Sequence, residues 1–134
     1  MTPESFDLAG AWMVKARSDL ETAQLLIRGG EKHLDTGCYH CQQAAEKALK
    51  GWLTASELLF PKTHILEQIL ALCVPSNAAF ARFDGHCEEL TPFAQEFRYP
   101  GDIADPTPEQ AERALVLAEE ICRFVESAFA SLDR

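Results

Sequence analysis

Polar side chains able to bind or transform a ligand lie in three short stretches of this sequence. The first runs from Gln42 to Lys50, the second is Lys62-Thr63-His64, and the third is Arg98-Tyr99-Pro100. Lysine and arginine can hold a phosphate through charged hydrogen bonds, and a tyrosine ring can stack on a nucleobase. We therefore predict a nucleotide or other anion site formed by Lys47, Lys50, His64, Arg98 and Tyr99, with Gln43, Glu46 and Thr63 in support.

The same side chains have a simpler interpretation that the sequence leaves open. Lys47 and Lys50 could only brace and solvate a helix surface together with Glu46. Thr63 could only cap a helix, and His64 could only make a local hydrogen bond. These alternatives need no ligand at all.

Metal binding and side-chain catalysis find little support in the residue spacing. Cys38-Tyr-His-Cys41 is a single cysteine pair, whereas a structural zinc site needs four ligands, usually from two such pairs. Neighbouring carboxylates such as Glu119-Glu120 diverge by about 100° on a helix, so they do not form a shared acid–base site. No glycine-rich phosphate loop occurs. We predict no metal, no cofactor and no catalytic residue.

Composition restricts the class of protein. The 134 residues match one domain, 1–134, and the net charge of −9 opposes broad binding to nucleic acid. The acidic start, MTPESFDLAG, lacks the basic and apolar regions of a secretory signal, and no apolar run reaches the ~18 residues that span a membrane. Five cysteines are an odd number, which favours reduced, buried thiols. We expect a cytoplasmic protein without a membrane segment.

Apolar residues repeat at helical spacing along nearly the whole chain. This periodicity predicts an all-α, up-down bundle of four long helices plus one short helix. The predicted helices are Phe6–Arg28, Asp35–Leu59, a short one from Thr63 to Cys73, one from Pro75 to Phe97 with a break near Pro92, and one from Thr107 to the end.

Local signals predict how several helices begin and end. Gly29-Gly30 would end the first helix in a left-handed conformation, Thr63 would cap the third, and Thr107 with Gln110 would form a capping box on the last. The second helix should bury one face and expose the other. The predicted buried face is Cys41, Ala45, Ala48, Trp52, Ala55 and Leu59, and the predicted exposed face is Gln43, Lys47, Lys50, Thr54 and Glu57.

The order of these motifs resembles the HEPN domains (higher eukaryote and prokaryote nucleotide-binding). The resemblance covers nearly the whole chain. Its parts are Ala11-Trp12 and Asp19-Leu20, the block from Tyr39 to Lys50, Lys62-Thr63-His64, Arg98-Tyr99-Pro100, and the alanines Ala111, Ala114 and Ala118 of the last helix.

The resemblance implies a dimeric helical bundle, often paired with a small nucleotidyltransferase encoded nearby as a toxin–antitoxin module. It also implies that some members are ribonucleases with an Arg-x4-6-His motif near the last long helix. Here Arg98 has no histidine at that spacing, and the one matching pair, Arg28 and His33, lies after the first helix. We therefore expect a binding module. The alternatives are a metal-independent ribonuclease toxin with a displaced site, using His64 or His86, and a purely structural dimeric scaffold.

Overall fold

The computed structural model describes residues 1–30, 32–94 and 105–132. The described part contains helices and no strand, which confirms the all-α bundle. The helices are α1 (Pro3–Arg28), α2 (Leu34–Ala55), α3 (Leu66–Cys73), α4 (Asp84–Leu90) and α5 (Pro108–Leu132). Two 3-10 segments flank α4, Ala78–Phe83 before it and Thr91–Ala94 after it.

Helix α1 begins three residues earlier than predicted. Thr2 and Ser5 form a capping box in which each side chain bonds the other residue's backbone N–H. The helix ends at Arg28 as predicted, but the capping residue Gly29 has φ of −88°, so the expected left-handed cap is wrong. The terminating Gly29 N–H simply donates to the Leu25 carbonyl at 3.0 Å.

Helix α2 ends at Ala55, four residues before the predicted Leu59. Glu57 adopts a positive φ of 56°, and this left-handed residue turns the chain. The N–H groups of Glu57 and Leu58 donate to the carbonyls of Thr54 and Leu53, which is the Schellman arrangement. Leu59 consequently lies outside the helix and is 96% exposed, so its predicted burial is wrong.

Helices α1 and α2 approach closely because a glycine lies at their contact. A Cβ atom added at Gly51 would lie 3.0 Å from the Trp12 Cβ and 3.3 Å from the Met13 sulfur. The remaining helices pack on the other sides of α2, which contacts α5, α3 and the Thr91–Ala94 segment. Helix α2 is therefore the centre of the bundle.

The region predicted as a fourth long helix is helical but segmented from Ala78 to Ala94, and its predicted last residues, 95–97, lie outside the described residues. It changes from 3-10 to α-helix at Asp84 and back to 3-10 at Thr91, which confirms the break near Pro92. The predicted cap at Thr63 is wrong, because α3 begins only at Leu66. The Leu66 N–H donates to Thr91 Oγ1 at 3.0 Å, so a residue distant in sequence caps α3.

Helix α5 begins where the local sequence predicts. Thr107 N–H donates to Gln110 Oε1 and Gln110 N–H donates to Thr107 Oγ1, at 2.9 and 3.1 Å, which confirms the capping box. All five cysteines lie within the described residues, where they are buried and form no disulfide, also as predicted. No described helix combines the length and the apolar character needed to cross a membrane.

Candidate functional site

The Glu46 carboxylate is the centre of a polar cluster between α2 and the segment that precedes α3. Glu46 Oε1 accepts from His64 Nδ1 at 2.9 Å and from Gln42 Nε2 at 3.1 Å. Glu46 Oε2 accepts from Lys50 Nζ at 2.8 Å. We call Gln42, Gln43, Glu46, Lys50 and His64 the Glu46 cluster.

Two buried glutamines complete the cluster's hydrogen bonds. Gln42 Nε2 also donates to the His64 carbonyl at 3.0 Å, and Gln42 Oε1 accepts from Gln43 Nε2 at 2.7 Å. In the described part of the chain, no buried side-chain nitrogen or oxygen atom lacks a partner. These hydrogen bonds therefore hold the cluster in one arrangement.

The carboxylate of Glu46 is ionised in this setting. Burial acts to raise its pKa, but hydrogen bonds from Lys50, His64 and Gln42 outweigh burial and hold the pKa below its usual value. Lys50 is itself only 8% exposed, so its ammonium group depends on Glu46 for charge compensation. The Lys50 Nζ also lies 5.6 Å from the centre of the Phe60 ring.

His64 presents the cluster to solvent. Its side chain is 66% exposed although its Nδ1 is bonded to the buried Glu46. Its second ring nitrogen, Nε2, has no hydrogen-bond partner among residues 1–30, 32–94 and 105–132. The hydrogen bond from Nδ1 to the carboxylate fixes the orientation of the ring, so that Nε2 faces away from Glu46.

Lys47 belongs to a separate cluster between α1 and α2. Asp19 of α1 accepts from Lys47 Nζ at 2.6 Å through Oδ2 and contacts His40 Nδ1 at 2.8 Å through Oδ1. The predicted site residues on α2 therefore divide between two carboxylates. Asp19 and His40 are not among the predicted site residues, although Asp19 lies three residues after the buried Ala16 and four before the buried Ala23.

The predicted exposed face of α2 is partly wrong. Gln43 and Lys50 are buried, and Lys47 and Thr54 are partly buried, whereas Glu57 is exposed. The amphipathic prediction fails because several elements pack against α2 from different sides. Its polar residues can be buried there because they form hydrogen bonds with one another.

The remaining predicted residues take no part in the cluster or lie outside the described structure. Thr63 Oγ1 accepts from the Ile65 N–H at 3.1 Å and contacts no other predicted site residue through a hydrogen bond in the described residues. Arg98 and Tyr99 lie outside the described residues, as does most of the loop predicted for residues 99–106.

A metal ion finds no obvious ligands in the described part of the chain. No group of three or more histidine, cysteine, aspartate or glutamate side chains there could hold one. Burial is the main cause that raises the pKa of the Cys41 thiol, and nearby Cys38 raises it further. This thiol therefore stays protonated. The Cys38 and Cys41 side chains contribute to the hydrophobic core.

A bundle built around a central helix with a buried polar cluster defines a small all-α domain of recognisable type. The family model of the HEPN domain matches residues 9–128, and the chain belongs to the HEPN family. The crystal structure of TT1696 from Thermus thermophilus is 32% identical, with 89% of this chain and 96% of that chain covered and a TM-score of 0.76.

A second solved structure has the same fold. It is ST0689, an archaeal HEPN homologue that is 24% identical, with 90% of this chain and 97% of that chain covered and a TM-score of 0.71. No protein of curated function matches the chain significantly.

Proposed function

We propose that this HEPN domain is a binding module that holds the phosphate of a nucleotide at His64. The observation that supports the proposal is the pairing of an exposed imidazole with a buried, ionised carboxylate, Glu46. In its imidazolium form the His64 ring donates through Nδ1 to Glu46 and through Nε2 outward, and a phosphate oxygen can accept a charge-assisted hydrogen bond from that outward N–H.

The other predicted site residues have distinct roles in this proposal. Lys50 keeps Glu46 ionised and in place, and so acts through His64. Lys47 has two further N–H donors beyond its bond to Asp19 and supplies positive charge on α2. Arg98 and Tyr99 are proposed from the sequence alone as contacts to the phosphate and to the base.

Calorimetric titration with AMP, ADP and ATP tests the nucleotide proposal. The wild type is expected to bind at least one of them, and His64→Ala is expected to weaken that binding by about tenfold or more, because a charged hydrogen bond is lost. His33→Ala is the matched control, since His33 is exposed at the start of α2, outside the Glu46 cluster. Arg98→Ala tests the proposed second phosphate contact.

Two outcomes would count against this nucleotide site. Failure of the wild type to bind any of the three nucleotides would remove the ligand from the proposal. Equal losses in the His64 and His33 variants would move the binding site away from the Glu46 cluster.

An exposed apolar groove supports association with another protein chain. Leu59, Leu8 and Leu58 are 96%, 58% and 41% exposed, and they line a groove of about 590 Å³ together with Trp12 and Phe60. Exposed apolar patches of this kind often mark protein interfaces. We propose that the groove forms the homodimer interface that the family resemblance implies.

Sedimentation analysis is expected to show a dimer for the wild type and a monomer for Leu59→Glu. The added charge would be buried at the interface without a partner, which is unfavourable. Leu25→Glu is the matched control, because Leu25 is 76% exposed on α1 and does not line the groove. A monomeric wild type, or a dimer unaffected by Leu59→Glu, would contradict the proposed interface.

A small nucleotidyltransferase remains the alternative partner for the same groove, as in a toxin–antitoxin module. A short neighbouring reading frame with Gly-Ser followed by Asp-x-Asp would favour it. Co-purification of that product with the wild type, and its loss with Leu59→Glu, would then assign the groove to the hetero-complex.

A ribonuclease is the second candidate function, because an imidazole fixed by a carboxylate can also act as a general acid or base. Cellular RNA incubated with the purified protein distinguishes the two functions. Cleavage that disappears in the His64→Ala/His86→Ala variant would favour the enzyme.

A scaffold with no ligand predicts instead that Lys47→Glu alters association while nucleotide binding is absent throughout.

A further inference from the structure

A polar cleft, which we call the second cleft to distinguish it from the apolar groove, lies between α5 and the segment that contains Ala78–Phe83 and the start of α4. Its volume is about 510 Å³. Its lining combines two arginines, a histidine, a serine and two aromatic rings with a single carboxylate. These residues are Arg82, Phe83, His86, Glu120, Arg123, Phe124 and Ser127.

The Arg82 guanidinium lies against the aromatic wall of this cleft. Its central carbon is 4.9 Å from the Phe83 ring centre and 4.6 Å from the Phe124 ring centre. The two rings are themselves in contact, with centres 5.2 Å apart. Stacking on the rings holds the planar guanidinium in place while its N–H groups stay available at the edge.

Neither cleft arginine is neutralised by a described carboxylate. Arg82 and Arg123 are exposed and form no ion pair within residues 1–30, 32–94 and 105–132. Other arginines of the bundle are paired: Arg17 with Glu126, Arg28 with Glu112 and Glu119, and Arg113 with Glu89. The cleft therefore brings together two guanidinium groups without an acidic partner among the described residues, although the chain has a net charge of −9.

The carboxylate of the cleft is already engaged by the histidine. Glu120 Oε1 lies 2.7 Å from His86 Nε2, and the His86 ring packs edge-on against Phe83 with centres 5.0 Å apart. This contact holds one oxygen of the Glu120 carboxylate beside His86. The exposed Ser127, one helical turn after Arg123, adds a hydroxyl donor.

We infer that this cleft binds a phosphate monoester with an aromatic body. Two guanidinium groups match the charge of a phosphate dianion and can each donate more than one hydrogen bond to its oxygens. The partly exposed Phe124 ring supplies an apolar surface for the body of the ligand, while the Phe83 ring, only 4% exposed, supports Arg82. The site is separate from His64, so this inference does not depend on the nucleotide proposal.

Calorimetric titration of the protein with phenyl phosphate tests the cleft directly. The wild type is expected to bind phenyl phosphate more tightly than inorganic phosphate, because only the former contacts the aromatic wall. Arg123→Ala is expected to weaken binding by about tenfold. Arg82→Lys keeps the charge but loses the planar fork, so it is also expected to bind more weakly.

Three further variants make the test specific. Glu120→Gln is expected to strengthen binding severalfold, because it removes a carboxylate while keeping an oxygen that can contact His86. Lys15→Ala removes an exposed positive charge from α1, outside the cleft, and is expected to leave binding unchanged. Absence of phenyl phosphate binding by the wild type would overturn the inference. Binding that is insensitive to Arg123→Ala, or equally tight binding of inorganic phosphate, would also overturn it.

Discussion

Replacing Glu46 with alanine is expected to lower the free energy of unfolding by about 3–5 kcal/mol, because removal of one partner leaves a buried charge without compensation. Lys50 would keep its ammonium at a position only 8% exposed. His64 and Gln42 would lose the acceptor that fixes them. Urea denaturation followed by circular dichroism measures the loss.

Two variants show whether the loss of stability comes from the buried Lys50 charge that is left without a partner. Glu46→Met/Lys50→Met removes both charges together, and its stability is expected to recover most of the loss. Glu89→Ala breaks the exposed pair with Arg113 and is expected to cost less than about 1 kcal/mol. A Glu46→Ala loss no larger than that of Glu89→Ala would contradict the structural role of the cluster.

The stabilisation by Glu46 should also depend on pH. Its pKa in the folded protein is lowered, so its contribution is present above the ordinary value of 4.5 and is lost as the pH falls through the folded-state pKa. The stability difference between the wild type and Glu46→Gln is therefore expected to shrink under acidic conditions. A difference independent of pH would mean that the carboxylate is not selectively stabilised in the folded state.

Replacing Phe80 with alanine is expected to destabilise the bundle by about 3–5 kcal/mol, the usual cost of removing a buried aromatic side chain. Phe80 is fully buried. Its ring centre is 5.3 Å from that of Trp52 on α2 and 4.9 Å from that of Phe124 on α5. The same change should loosen the aromatic wall of the second cleft, because that wall includes Phe124.

Val116→Ala is the control for the Phe80 variant. Val116 is 38% exposed on α5, so its truncation is expected to cost much less. Both variants are compared by urea denaturation under the same conditions. Similar losses for the two would indicate that Phe80 does not couple α2 to α5.

Features encoded within a few residues could be predicted from the sequence. The capping box of α5 depends on Thr107 and Gln110 alone, and the buried positions of α1 and α5 follow a helical repeat. The fold class follows from the same repeats, since each helix must bury its apolar stripe against another. The order of the motifs was sufficient to indicate the HEPN family.

Features that depend on distant residues could not be predicted in this way. Asp19 pairs with Lys47 across two helices, and Thr91 caps a helix that begins at Leu66. The burial of Lys50 depends on the covering of α2 from several sides and on the acceptor supplied by Glu46. The Arg82 and Arg123 side chains meet at one cleft only because α5 packs beside the preceding segment.

Nuclear magnetic resonance of the histidine rings during a nucleotide titration tests the central proposal most directly. The wild type is labelled with nitrogen-15, and the His64 signals are assigned by comparison with His64→Gln. Addition of AMP, ADP or ATP is expected to shift the His64 Nε2 signal to saturation, while the His33 signals stay unchanged. Saturation that leaves His64 unshifted, or the absence of any saturable shift, would contradict a phosphate site built on Glu46 and His64.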